Sequence, residues 1–277
     1  MAKIVNFHKV TDIEWFEDVV CMLSRVYSII SGKQLIDFYY NGIPLPRRSC
    51  LITVDDGDLT SYDIIYPILK KRMIPAIFFV SPEKLLRDGE HRNFWFQEAG
   101  HCNDGGLLMS QIHSSKMTIN EIWNRINDYK REHGIGELKD QNMTLEQVLE
   151  IDSEGIVAIG AHTLDHPFLA REDDKKSASE IQMSISKLEK LLGHEVLFFA
   201  YPNGKPVEDF GEREINTLRH TSCRLAFSTE PRDLRKSDNP YAIPRYGLSN
   251  GSMIFVFMKL LLGSKYRNIR RILKSIH

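Results

Sequence analysis

The sequence predicts an α/β fold of repeated strand–helix units around a parallel sheet, and three observations carry that prediction. Apolar runs of strand length alternate with segments whose apolar residues recur at helical spacing. Four of the runs stop abruptly at polar residues: His8, Asp55-Asp56, His162 and Tyr201-Pro202-Asn203. The chain of 277 residues, 42% apolar and 26% charged, can bury a sizeable core without disulfide staples. In parallel α/β folds ligands sit at the C-terminal ends of the strands, so the four polar stops would meet on one rim.

Each element follows in order. Lys3–Phe7 is a buried-strand run that ends at His8. Residues 12–30 carry Ile13, Phe16, Val19, Val20, Leu23, Val26 and Ile30 at helical spacing, with Thr11 or Asp12 as cap. Residues 35–40 form a second short element. Residues 50–54 are apolar and β-branched and run into Asp55-Asp56-Gly57. Helical spacing returns at Tyr62, Ile65, Ile68 and Leu69, and Ala76–Val80, introduced by Pro75, is another strand. Residues 87–137 are polar and rich in His and Asn, and read as an inserted excursion on the substrate side, helical over 120–129. Next come a helix at 144–151 capped by Thr144, a strand at 156–159 that leads to His162, and a helix at 178–192 stopped by Gly193. A strand at 196–200, a helix at 212–223 and a strand at 225–228 follow. Residues 240–245 are irregular and lead to a last helix.

Charge and composition exclude several classes. A net charge of −1 argues against a nucleic-acid binder driven by global positive charge. The N-terminus lacks the apolar region of a secretory signal, and Cys21, Cys50, Cys102 and Cys223 are dispersed. Both features point to a cytoplasmic protein with reduced thiols. No apolar run reaches the roughly 20 residues that span a bilayer. The even balance hides a split, however. Residues 251–277 contain Lys259, Lys265, Arg267, Arg270, Arg271 and Lys274 and no acid, which leaves −7 on residues 1–250. The expectation is one barrel domain over 1–250 and a basic amphipathic helix over 251–277. That helix either packs on the barrel or contacts the inner membrane face.

Two motifs carry chemistry. Adjacent carboxylates at a strand end, Asp55-Asp56, are costly unless a cation or a proton separates their roles, although Asp and Gly also favour plain turns. His162 and His166 stand at i and i+4, where one helical turn would aim both imidazoles at a single metal. With the Asp55-Asp56 pair they make two nitrogen ligands and one oxygen ligand, the donor set of an open catalytic site. Phe94-Trp95-Phe96 in the excursion is either a mini-core of that segment or a sugar-stacking surface.

At these residues the sequence resembles the polysaccharide deacetylase family of metal-dependent carbohydrate N-deacetylases. The resemblance rests on Thr53-Val54-Asp55-Asp56-Gly57, on His162-Thr163-Leu164-Asp165-His166 with Pro167, and on Phe199-Ala200-Tyr201-Pro202-Asn203-Gly204. Phe7-His8-Lys9-Val10 and Ile243-Pro244-Arg245 add to it, and it covers about residues 3–86 and 143–249. It implies a distorted (β/α) barrel of about seven parallel strands, of the NodB-homology type. It further implies that Asp56, His162 and His166 bind a divalent metal, most often zinc, and that Asp55 is the general base. The N–H of Asn203 would hold the oxyanion, with Tyr201 and Pro202 beside the substrate. Ala200 stands where some members have an arginine that orients the base, and Arg245 is the replacement the sequence offers. After residue 230 the only histidine is His277, so His8 is the leading proton donor, ahead of His101, His113 and His133.

The expected activity is removal of an N-acetyl group from an amino sugar: a sugar nucleotide, or a lipid-linked or oligosaccharide intermediate of cell-surface polysaccharide synthesis. Hydrolysis of another linear or cyclic amide, or a catalytically inactive metal- or carbohydrate-binding relic, are the alternatives.

Overall fold

The computed structural model describes residues 2–86, 92–102, 104 and 106–263. Its strands are β1 (Lys3–Phe7), β2 (Ser28–Ile29), β3 (Ser49–Val54), β4 (Ala76–Val80), β5 (Val157–Ala161), β6 (Phe198–Ala200), β7 (Leu225–Phe227) and β8 (Tyr246–Gly247). Seven run in the order β7-β6-β5-β4-β3-β1-β8, with two-residue β2 beside the start of β3. All the pairings are parallel, and the sheet curls into a half-barrel, as the sequence predicted.

Strand β4 is apolar throughout and β3 is buried along its whole length, because both faces are covered. Val5, Phe7, Ile52, Val54, Phe78 and Val80 point toward the outer helices, of which Ile13–Val26 contributes Phe16, Val19 and Leu23. Ile4, Leu51, Ile77, Phe79, Phe198 and Phe227 point inward and are closed off by Leu35 of the helix Gly32–Tyr40. That helix fits only because residue 32 lacks a side chain. A Cβ there would lie 2.6 Å from the Phe198 ring and 2.9 Å from Ile77.

Several boundaries differ from the sequence reading. The first helix stops at Val26, where Tyr27 turns extended and Ser28–Ile29 pairs with Ser49 and Cys50. Residues 35–40 belong to a longer helix that starts at Gly32 behind a capping box of Ser31 and Gln34. The helix expected from 178 begins at Asp174, capped by the Asp173 carboxylate. Strand β8 follows the irregular stretch directly. The described residues of the excursion hold three helices, Trp95–His101, Leu107–Ser114 and Ile119–His133, around Trp95, Leu108, Ile112, Ile122, Trp123 and Ile126. Trp95 is therefore a core residue of that segment and Phe94 is fully buried, while Phe96 packs partly buried against that core. The last described helix is Met253–Leu262, so most of the basic tail lies outside the described residues.

Candidate functional site

Parallel register carries the polar stops to one rim. Asn6 pairs with Thr53 and Phe7 with Val54, and the Asp55 N–H then donates to the Phe7 carbonyl (2.9 Å), which sets His8 beside Asp55. On the other side the His162 N–H donates to the Val80 carbonyl (3.0 Å) as β5 leaves the sheet.

Asp55 is buried, and its carboxylate is gripped from below. Arg245, which is 0% exposed, donates from Nη1 to Oδ1 (2.7 Å) and from Nη2 to Oδ2 (2.8 Å). Its Nε donates to the Ser228 carbonyl (2.9 Å) and Nη1 also reaches Thr53 Oγ1 (3.1 Å). The guanidinium lies over the rings of Phe79 and Phe227 (5.5 and 5.8 Å). Asn6 Nδ2 adds a bond to Asp55 Oδ2 (3.3 Å), and His8 Nε2 stands 3.7 Å from the same oxygen with half its side chain exposed. Burial alone would push the Asp55 carboxyl up. The Arg245 charge, with His162 and His8 nearby, outweighs burial and holds it below the usual carboxylate range.

Asp56 turns the opposite way. Its backbone is left-handed (φ 71°), so neighbouring carboxylates face different partners. Asp56 Oδ1 lies 3.3 Å from His162 Nε2 and 3.6 Å from His166 Nε2, and the three ligand atoms fall within 4.8 Å of one another. The helical turn expected for the two histidines is absent. Thr163 (φ 63°) and His166 (φ 56°) are both left-handed, which no α-helix tolerates, and residues 162–168 form a loop. The loop is pinned instead by side chains. The buried Glu180 carboxylate accepts the N–H groups of Leu164 (2.9 Å) and Asp165 (3.1 Å), and Thr163 Oγ1 accepts that of His166 (3.0 Å). Lys84, buried near the Phe94 and Trp123 rings, donates to Asp165 Oδ1 (2.7 Å). Seven described non-glycine residues have positive φ, and Asp56, Thr163, His166 and Asn203 are four of them. Such strain gathers where structure serves a site.

The donor set fits a cation. His162 Nδ1 donates to the Ala200 carbonyl (2.7 Å), which leaves Nε2 as the atom aimed at Asp56. Asp56 Oδ1 is buried with no hydrogen-bond partner, so an anionic oxygen faces two imidazole nitrogens with nothing to balance it. Burial opposes ionisation of Asp56, yet the nearby His162 and His8 hold its carboxyl well below the usual range. Burial, with His162 beside it, brings His166 down to about 3, so its ring is neutral and able to coordinate.

The excursion, read from the sequence as lying on the substrate side, reaches this centre. Trp95 Nε1 donates to the His166 carbonyl (2.8 Å), and Phe96 and Phe94 set their rings edge-on to the His166 imidazole (5.0 and 5.6 Å). A cleft of about 440 Å³ opens between His8, Lys9, Asp56 and Asp58 on the barrel side and Phe96, Gln97 and His101 on the excursion side. His113 packs against Trp95, and His133 stacks on Tyr129 (4.1 Å), both away from that lining. Tyr201 is fully buried, stacked on Phe210 (3.6 Å) with its hydroxyl donating to the Tyr241 carbonyl (2.8 Å), so it supports the loop from beneath. Pro202 is buried too. Asn203 (φ 58°) follows, its carbonyl accepting from Thr229 Oγ1 (2.6 Å) and its Nδ2 buried without a partner.

Comparison with known proteins places the chain among polysaccharide deacetylases. A family model described as polysaccharide deacetylase matches residues 42–217, which include Asp55, Asp56, His162, His166 and Asn203 but not His8 or Arg245. The chain is 25% identical over 251 residues to a poly-beta-1,6-N-acetyl-D-glucosamine N-deacetylase of Staphylococcus epidermidis, covering 90% of this chain and 71% of that one. It is 22% identical over 249 residues to the protein of that name from Staphylococcus aureus strain N315, with the same coverage. Among solved structures, IcaB from Ammonifex degensii superposes with a TM-score of 0.66 at 22% identity, over 90% of this chain and 91% of that one. The BpsB deacetylase domain from Bordetella bronchiseptica does so at 0.63 and 16%, over 89% and 95%.

Proposed function

The chain belongs to the polysaccharide deacetylase family, and from that premise we propose that it is a metal-dependent hydrolase of N-acetylated amino sugars. Chains of β-1,6-linked N-acetylglucosamine are the substrate class we favour, because the curated relatives bear that specificity in their names. The observation that carries the reading is the pairing of two unlike carboxylates: Asp55 clamped by Arg245, and Asp56 unpaired before two imidazoles.

Asp56, His162 and His166 would hold the metal, which supplies Lewis acidity toward the acetamide carbonyl and lowers the pKa of water. Asp55, ionised at neutral pH, takes the proton of the attacking water, and its two oxygens are kept in register by Arg245 and Asn6. Asn203 offers N–H donors to the oxygen of the tetrahedral intermediate. His8 returns a proton to the nitrogen as the C–N bond breaks, leaving acetate and the free amine. The partly exposed Phe96 and the polar Gln97 and His101 form the wall against which the sugar ring lies.

Acetate release from a panel of N-acetylated substrates, assayed before and after chelation, tests the reading. β-1,6-linked N-acetylglucosamine oligomers should be cleaved, sugar nucleotides poorly, and a chelator should remove at least about 100-fold of the rate until zinc is returned. Full activity in metal-free protein would end the metal assignment. His8→Gln should cut kcat by about 100-fold with metal content unchanged, and an unaltered rate removes His8 from the mechanism.

A further inference from the structure

The helix Met253–Leu262 buries Val256 and Leu260 and packs beside Ile13–Val26. Its outer side is apolar: Ile254 is 73% exposed, Phe255 61%, Phe257 44% and Leu261 65%. Ile254, Phe257 and Leu261 are spaced by three and four, so they form one stripe, with Phe255 on its shoulder. The other exposed large apolar residues are spread thinly over the chain, which is ordinary; a cluster on one helix is a contact surface.

The next stretch of sequence says what covers it. Residues 264–277 contain Lys265, Arg267, Arg270, Arg271 and Lys274 and no acid, interleaved with Ile269, Ile272, Leu273 and Ile276. An aliphatic and aromatic stripe continuous with a cationic segment matches a surface that is apolar beneath and anionic above. A symmetric pair of copies joined through this face would bring two such cationic segments together. No described helix is long and apolar enough to cross a membrane. We propose that residues 253–277 attach the protein to an anionic lipid bilayer, the stripe entering the headgroup boundary and the cations pairing with lipid phosphates.

The test is co-sedimentation of the full chain with vesicles of phosphatidylcholine containing about 30% phosphatidylglycerol, or none. The wild type should bind the anionic vesicles and not the neutral ones. Ile254→Ser/Phe257→Ser, and separately Lys265→Glu/Arg267→Glu/Arg270→Glu, should each weaken binding by at least about 10-fold. Both substitutions lie on the surface or outside the described core, and acetate release from a soluble oligomer should be unchanged. Absence of sedimentation in the wild type, or equal sedimentation of wild type and variants, overturns the proposal. So does a wild-type dimer in solution that the Ile254→Ser/Phe257→Ser variant dissolves, since a second copy then occupies the face.

Discussion

Asp55→Asn should lower kcat by about 1000-fold while the protein still binds its metal. The side chain keeps its shape, and an amide oxygen can still accept one bond from Arg245. It cannot take a proton from water. The metal ligands are untouched, because Asp56 faces His162 and His166 while Asp55 faces Arg245. A second effect follows from burial. Neutralising residue 55 leaves the Arg245 guanidinium, 0% exposed, without its counter-charge, which costs about 3–5 kcal/mol of stability. In a chain of this size each kcal/mol lowers Tm by about 2–4 °C. The assay therefore runs well below the variant's melting point, with bound metal and circular dichroism measured on the same sample. Acetate release at the wild-type rate from folded, metal-loaded Asp55→Asn protein would falsify the base assignment.

The parts of the site read from sequence are those whose chemistry is local in the chain. Asp55-Asp56 and His162 directly follow buried strands, and parallel register alone brings strand ends together. Arg245 was found although it lies 190 positions from Asp55, because its motif could be recognised. Spacing proved a weaker guide to conformation. Four positions separate His162 from His166 in a helix and also in a loop held by Glu180 and two left-handed residues; only the structure tells them apart. Asn6 went unread as a site residue, yet a signal existed: it is a polar residue inside a strand that is otherwise apolar after Lys3. The aromatic surroundings of His166 had no such signal, since Phe94, Trp95 and Phe96 are about 70 residues distant, and Trp95 and Phe96 also serve a core of their own. In the tail, bulk charge concealed the contrast that mattered, an acidic body against a basic end.

Arg245 is where stability and catalysis should fail together, and two substitutions separate its roles. Arg245→Met removes the charge and leaves Asp55 buried with Asn6 as its remaining close donor, so a loss of about 3–5 kcal/mol is expected. Arg245→Lys keeps a positive charge but cannot present two parallel N–H groups, so it should be the milder of the two in stability. Both free the Asp55 carboxyl to rise. Because the wild-type value is depressed, its contribution to stability is complete above the unfolded value of about 3.9 and is lost as pH falls through the folded one. In Arg245→Met that acid-side loss should vanish, since the carboxyl gains nothing on folding. The kinetic counterpart is the acid limb of kcat/KM: where the Asp55 carboxyl rises, the fraction ionised falls, and the limb should move to higher pH in both variants. A limb that stays in place while Tm drops would make Arg245 a structural cation and leave the orientation of the base to Asn6 and the backbone.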